Sequence, residues 1–208
     1  MRLVIDIGAN VGNTVEEFLN SSEQVICFEP NPALVSHLKN RFFKRPVVVD
    51  GRGVSNQRGK QIFKISNTNT ISTFSEDWIN NSRFTDLYEW KREVEVETIT
   101  MNDIIDEYGI PDYIKLDIEG YEYEVLTSFS KLLPNTVFAF EWAEEQKNKI
   151  NLIINHLTNL GYNQFSYTEA DAIKLDEDID WTSYQDFNLL EELNPERKEK
   201  WGMIYFKK

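Results

Sequence analysis

The sequence predicts an α/β chain built on a doubly wound, mostly parallel sheet with helices on both faces. Three observations predict it. Short β-branched runs end at a glycine or an acid, segments with apolar residues at helical spacing follow them, and the two patterns alternate along most of the 208 residues.

The first unit is "LVIDIG", a buried parallel strand closed by glycine, then a helix from Thr14 to Leu19 on which Val15, Phe18 and Leu19 share a face. Asn13 or Thr14 can cap its start. The second is "QVICFE", a strand, followed by "NPALVSHLKNRF", a helix with Asn31 as cap and Pro32 at its first position. "PVVVD" supplies a third strand and completes a βαβαβ half. In the middle, "GKQIFKIS" and "REVEVETIT" alternate like edge strands around the polar loop "NTNTIST". "MNDIIDEYG" is a helix ending at Gly109, and "IPDYIKLDIEG" a strand running into a glycine turn. A helix over 121–130, the strand "NTVFAFEW" and the amphipathic helix "QKNKINLIINHLTNLG", closed by Gly161, follow. "YNQFSYT" and "WGMIYFKK" are expected to pair as an antiparallel C-terminal hairpin. No linker or repeat interrupts the series, so one domain over 1–208 is expected.

Composition narrows the function. No apolar run approaches the roughly 18 residues of a membrane span, and no secretory signal is visible, so a cytoplasmic protein without membrane insertion is expected. Cys27 is the single cysteine, which excludes an intramolecular disulfide and a cysteine metal cluster and suits a small core residue. The net charge of −13 and the absence of a compact basic stripe argue against nucleic acid. The acidic runs "EADAIKLDEDIDW" and "EELNPERKEK" read as solvated faces.

The strand-to-helix turn carries Asp6, Gly8, Asn10 and Gly12 at alternate positions. It lacks the third glycine of a dinucleotide fingerprint and the lysine of a phosphate-gripping loop. A ligand with both an amine and a carboxylate suits it better: Asp6 offers a carboxylate at the strand end, the helix start favours an anion, and the glycines allow close approach. Glu29 ends the second strand, where an acid accepts hydrogen bonds from two ribose hydroxyls. Amino acid plus ribose points to S-adenosylmethionine.

With "FEPNP", "GVSNQRG", "ETITMNDII", "YIKLDIEGYEYEVL" and "FAFEW" behind it in order, "DIGANVGNTV" resembles the FkbM-type methyltransferases, a branch of the class I S-adenosylmethionine-dependent enzymes. The resemblance covers about Leu3 to Trp142. It implies a Rossmann-like seven-stranded sheet and O-methylation of hydroxyls on sugars or other secondary metabolites, with S-adenosylhomocysteine as product. It further implies that Asp6, Gly8, Ala9, Asn10, Gly12 and Asn13 surround the methionine part of the cofactor. Glu29 would hold the ribose beside Pro30 and Asn31, and Arg52 and Gly53 would line the adenine.

Methyl transfer from a sulfonium is an in-line displacement, and a hydroxyl acceptor calls for a base at the carboxyl ends of the later strands. "KLDIEG" offers Lys115, Asp117 and Glu119, and "FAFEW" offers Glu141. Asp117 is the first candidate, Glu141 the second, and Lys115 is equally well read as a charge partner. Asp117, Glu119 and Glu141 could alternatively hold a divalent cation that lowers the acceptor's pKa. His37 and His156 fall on helices and read as surface residues. Trp78, Tyr88, Trp90 and Tyr121 are the aromatic candidates for covering a sugar ring, although aromatics also fill cores. The expected acceptor is a neutral sugar or glycan hydroxyl. A non-sugar metabolite acceptor and a catalytically inactive cofactor-binding module are the alternatives, and a nicotinamide oxidoreductase is disfavoured by the missing fingerprint. Only Met1 and Arg2 precede the first strand, which suggests a segment of a longer polypeptide that carries other glycan-processing domains.

Overall fold

The computed structural model describes residues 1–170, 173–185 and 201–208. The opening alternation folds as read: β1 (Leu3–Ile7), α1 (Asn13–Phe18), β2 (Gln24–Phe28), α2 (Pro32–Arg41) and β3 (Val47–Asp50), with β1, β2 and β3 parallel neighbours. Asn31 caps α2 through its side chain, accepting from the Ala33 amide at 3.1 Å with Pro32 at the first position. The cap expected on α1 does not form. Gly12 occupies that position in a left-handed conformation, and Asn13 Oδ1 accepts instead from Arg41 Nη1 at 3.1 Å.

The two alternating middle segments become β5 (Gly59–Ile65) and β6 (Arg92–Ile99), which pair antiparallel with each other, not with the main sheet. β4 (Gly53–Val54) joins the far side of β6 to give a three-stranded sheet, and α3 (Glu76–Asn81) lies in the excursion between β5 and β6. Phe63, Ile65 and Val96 form its buried side, while Lys60 and Lys64 meet Glu95 and Glu93 across the ladder.

After α4 (Met101–Tyr108), whose start is closed by the reciprocal Thr100–Asp103 capping box, the chain returns as β7 (Tyr113–Leu116) on the free side of β1. α5 (Glu122–Ser128), shorter than the 121–130 expected, leads to β8 (Val137–Ala143), α6 (Lys147–Leu160) and β9 (Gln164–Glu169). β10 (Thr182–Ser183) and β11 (Trp201–Lys207) end the described chain. The main sheet runs β10-β9-β11-β8-β7-β1-β2-β3. β11 is antiparallel to both β8 and β9, so the expected hairpin of β9 with β11 is present. The seven strands implied by the resemblance run from β3 to β9, and the eighth is the two-residue β10 at the edge.

Helices cover both faces. α4, α5 and α6 pack on the face that carries Ile5, Ile7, Ile114 and Phe138, and α1 and α2 on the face that carries Val4, Val25, Tyr113 and Ala139. The strand order reverses between β1 and β7, and such a switch point opens a crevice at the carboxyl ends of the strands. Asp176, Glu177, Asp178 and Asp180 are solvated as expected, and "EELNPERKEK" lies outside the described residues. No helix among the described residues is long and apolar enough to cross a membrane.

Candidate active site

The switch point brings the end of β1 against the end of β7 so closely that only glycine fits. A Cβ on Gly8, at φ +86°, would lie 1.8 Å from the carbonyl oxygen of Asp117. A Cβ on Gly12 would strike Phe42 and Leu38 on the α2 side. A side chain at either glycine would thus meet protein, while Gly8 itself also borders the cavity described below. The turn between them is pinned to β2: the amides of Gly8 and Ala9 donate to the Phe28 carbonyl at 3.0 and 3.1 Å. Asn10, left-handed at φ 49°, donates its amide to Glu29 Oε2 at 3.0 Å, and its buried Oδ1 has no hydrogen-bond partner.

Glu29 is 5% exposed, and its other oxygen accepts from the Asn31 amide at 2.8 Å. Burial pushes its pKa up to about 7 despite these two donors. Each carboxylate oxygen has a second lone pair, so the group retains acceptor capacity for a diol. Glu29 borders a cavity of about 330 Å³ whose wall also includes Gly8, Ala9, Asn10, Asn13 and Pro30.

Five of the residues expected at the cofactor do not border this cavity. Asp6 is fully buried beneath it and faces Lys115. Gly12 packs on α2, and Asn31 turns away to cap α2. Arg52 spends its guanidinium on Asp50 and Glu107, and Gly53 leaves its side-chain space to the ring of Phe74. Val54, Phe63 and Phe74 provide the apolar wall on that side, and Asn69, Thr70 and Ser72 provide polar groups. The alternation of β5 pointed Phe63 inward. Phe74 and the loop before it follow a polar stretch with no periodic signal, and only the tertiary fold brings them over the cavity.

Lys115 and Asp117 both reach the cavity wall. Lys115 Nζ lies 3.0 Å from Asp117 Oδ2 and 3.6 Å from Asp6 Oδ1, so it bridges the two carboxylates and is their charge partner. Burial disfavours its charge, but the two acids outweigh burial and its pKa is raised. Burial likewise raises the pKa of Asp6, with Lys115 opposing.

The turn after β7 holds two consecutive left-handed residues, Glu119 at φ 56° and Gly120 at φ 84°. Glu119 borders the cavity and Glu141 does not. Burial, followed by the charge of Asp117, raises the pKa of both well above the ordinary range. Of the three acids named as an alternative cation set, Asp117 and Glu141 cluster with Glu122: among the described residues these three bring ligand atoms within 4.8 Å of one another. Glu122, unremarked in the sequence, already accepts from the Ile118 amide at 2.8 Å.

The expected aromatic cover is elsewhere. Trp78 is buried behind the turn, where a Cβ on Gly120 would touch it, and Trp90 donates to the Ile71 carbonyl. Tyr88 is exposed, and Tyr121 packs on Phe74 with ring centroids 5.6 Å apart and planes tilted by 50°, without bordering the cavity. His37 is exposed on α2, and His156 on α6 pairs with the Phe129 carbonyl at 2.7 Å, both away from the cavity as anticipated. Cys27 is buried, with burial raising its thiol pKa.

A parallel switch-point sheet with a glycine turn, an acid ending β2 and an inserted antiparallel β11 defines a Rossmann-like methyltransferase fold. Residues 6–190 match the Methyltransferase FkbM domain family. The chain belongs to the FkbM family of class I S-adenosylmethionine-dependent methyltransferases. Its fold resembles the crystal structure of methyltransferase FkbM from Methylobacillus flagellatus KT (TM-score 0.53, 17% identity), over 99% of this chain and 43% of that one. It also resembles precorrin-6y C5,15-methyltransferase from Geobacter metallireducens GS-15 (TM-score 0.52, 12% identity), over 100% of this chain and 81% of that one. This chain therefore spans under half of the FkbM relative. No curated protein matches it in sequence.

S-adenosylmethionine fits the residues present. Glu29 has acceptor capacity for the ribose, Asn10 Oδ1 is a buried acceptor without a partner, and the acids Glu17, Glu29, Asp117 and Glu119 in the wall suit a cation.

Proposed function

We propose that this chain transfers a methyl group from S-adenosylmethionine to a hydroxyl of a sugar or glycan. The observation that carries the reading is one cavity that joins the Glu29–Asn10 turn to Asp117 and Glu119 at the end of the adjacent strand. Bound there, the cofactor supplies an electrophilic methyl group on a sulfonium.

The residues of this chain do the rest. Glu29, Asn10 and Pro30 bind, the apolar wall of Val54 and Phe74 excludes water, and the acceptor lies between Asp117, Glu119 and the polar loop. Asp117, or Glu119 beside it, takes the proton that leaves the hydroxyl as the O–CH3 bond forms. Lys115 holds Asp117 in place at 3.0 Å. The amide and hydroxyls of Asn69, Thr70 and Ser72 and the rings of Phe63 and Phe74 in the same wall are of the kinds that a sugar ring uses for hydrogen bonding and apolar contact. The excess of acids over the single committed lysine in the wall disfavours an anionic acceptor.

A labelled methyl-donor screen over neutral glycosides, with and without chelator, tests the reading. Label on a glycoside hydroxyl supports it. Label only on non-sugar hydroxyls replaces the acceptor class, and cofactor binding without transfer to any acceptor favours a binding module. Loss of transfer with chelator would bring in a divalent cation, for which Asp117, Glu122 and Glu141 are the nearest acids.

A further inference from the structure

Thr73 joins the two walls between which the proposed acceptor lies. On its N-terminal side, the loop carrying Asn69, Thr70 and Ser72 leaves β5 and returns to it: the backbones of Lys64 and Thr73 exchange two hydrogen bonds of 3.0 Å, and the Ser66 amide donates to Ser72 Oγ at 3.1 Å. On the other side is the turn bearing Asp117 and Glu119, forty-odd residues away in sequence. The Thr73 side chain is fully buried, and its hydroxyl donates to the Glu119 carbonyl at 2.8 Å while accepting from the Ser75 amide at 2.8 Å.

Glu119 has left the β7 ladder, so a strand neighbour does not satisfy its carbonyl, and a buried backbone acceptor needs a partner from elsewhere. A turn with two successive left-handed residues persists only where its surroundings hold it. Three side chains do so here: Glu122 on the Ile118 amide, Gln146 on the Gly120 carbonyl at 3.0 Å, and Thr73 on Glu119. Of the three, Thr73 alone belongs to the segment that also forms the opposite wall.

We propose that Thr73 is a positioning residue, whose hydroxyl holds the Asp117–Glu119 turn in register with the Asn69–Ser72 loop. The inference rests on the methyltransferase reading above. Valine matches threonine in shape and lacks the hydroxyl, so T73V removes this link, together with the acceptor of the Ser75 amide, and leaves Glu29 and the glycine turn untouched. Serine keeps the hydroxyl.

The test compares the intact chain with T73V and T73S, each saturated with S-adenosylhomocysteine, by amide exchange at Ile118 and by calorimetric affinity for that ligand. The expected result for T73V is exchange at Ile118 about tenfold faster, with affinity within about threefold of the wild type, and for T73S behaviour close to wild type. Turnover on a glycoside found in the screen should fall about tenfold in T73V and recover in T73S. The proposal is overturned if Ile118 exchanges at the wild-type rate in T73V, if T73S exchanges as fast as T73V, or if affinity falls in step with exchange. Should T73V not fold, T73A is compared with T73S on the same terms. The exchange arm needs no acceptor, so a screen without a methylated glycoside counts against the glycan reading and leaves this inference decided on its own readout.

Discussion

Lys115 and Asp6 stand opposite each other in register on adjacent central strands, Nζ 3.6 Å from Oδ1, with both side chains buried. Asp6 has no hydrogen bond to either oxygen, so this lysine is its compensation. Removing the lysine leaves a buried charge alone, whereas removing the acid leaves Lys115 paired with Asp117. K115M should therefore destabilise the fold by about 3–5 kcal/mol, D6N by clearly less, and the double variant should recover part of the K115M loss. Denaturant unfolding of the four proteins measures this. Equal effects of the two single variants would contradict the asymmetry.

Glu29 makes stability and binding depend on pH in opposite directions. Burial raises its pKa from the ordinary 4.5 to about 7. A raised acid binds a proton in the folded state that the unfolded chain has released. Its contribution is therefore fully present below about pH 4.5 and is lost as pH rises to about 7, on the order of 3 kcal/mol. A ribose diol donates to the ionised form, so affinity for S-adenosylhomocysteine should rise from pH 6 to 8. E29Q should weaken binding at least about tenfold and remove the pH dependence of affinity. Calorimetry across that range checks both.

Gly8 and Gly109 both have positive φ, 86° and 91°, but differ in surroundings. Nothing lies within 4 Å of a Cβ on Gly109, so G109A should cost only the backbone strain of its glycine-favouring φ 91° and ψ 179°, about 1–3 kcal/mol. In G8A the new carbon meets the Asp117 carbonyl, and β1 and β7 must separate. Thermal melts should show a small loss for the first and a loss several times larger, with loss of cofactor binding, for the second.

Asp117 borders the cavity and pairs with Lys115, while Glu29 is held by the amides of Asn10 and Asn31. D117A leaves Lys115 the company of Asp6. The expected outcome is an intact fold, affinity for S-adenosylhomocysteine within a few-fold, and turnover reduced about 100-fold or more. If affinity and turnover fell together, Asp117 would be a cofactor ligand only.

Local pattern made the sheet legible. The strand ends that carry Gly8, Glu29 and Asp117 follow from apolar runs that stop at a polar residue, and all three border the cavity. What was not legible depends on contacts between distant segments. The pairing of β5 with β6 in a sheet of their own, and the packing of Phe74 on Gly53, cannot be read from alternation alone. Arg52 looked available for adenine because nothing local shows that Asp50 and Glu107 engage it. Asp6 looked like a ligand because it ends a strand, yet its side chain falls on the α1 face, where burial encloses it with Lys115.

A cavity beside Glu29 that is built for S-adenosylmethionine also holds S-adenosylhomocysteine. Calorimetric titration of the purified chain with S-adenosylhomocysteine and with NAD, alongside E29Q, tests it most directly. One site for S-adenosylhomocysteine, weakened in E29Q, with no heat from NAD, is the predicted result. Absence of S-adenosylhomocysteine binding, or binding that E29Q leaves unchanged, would contradict it.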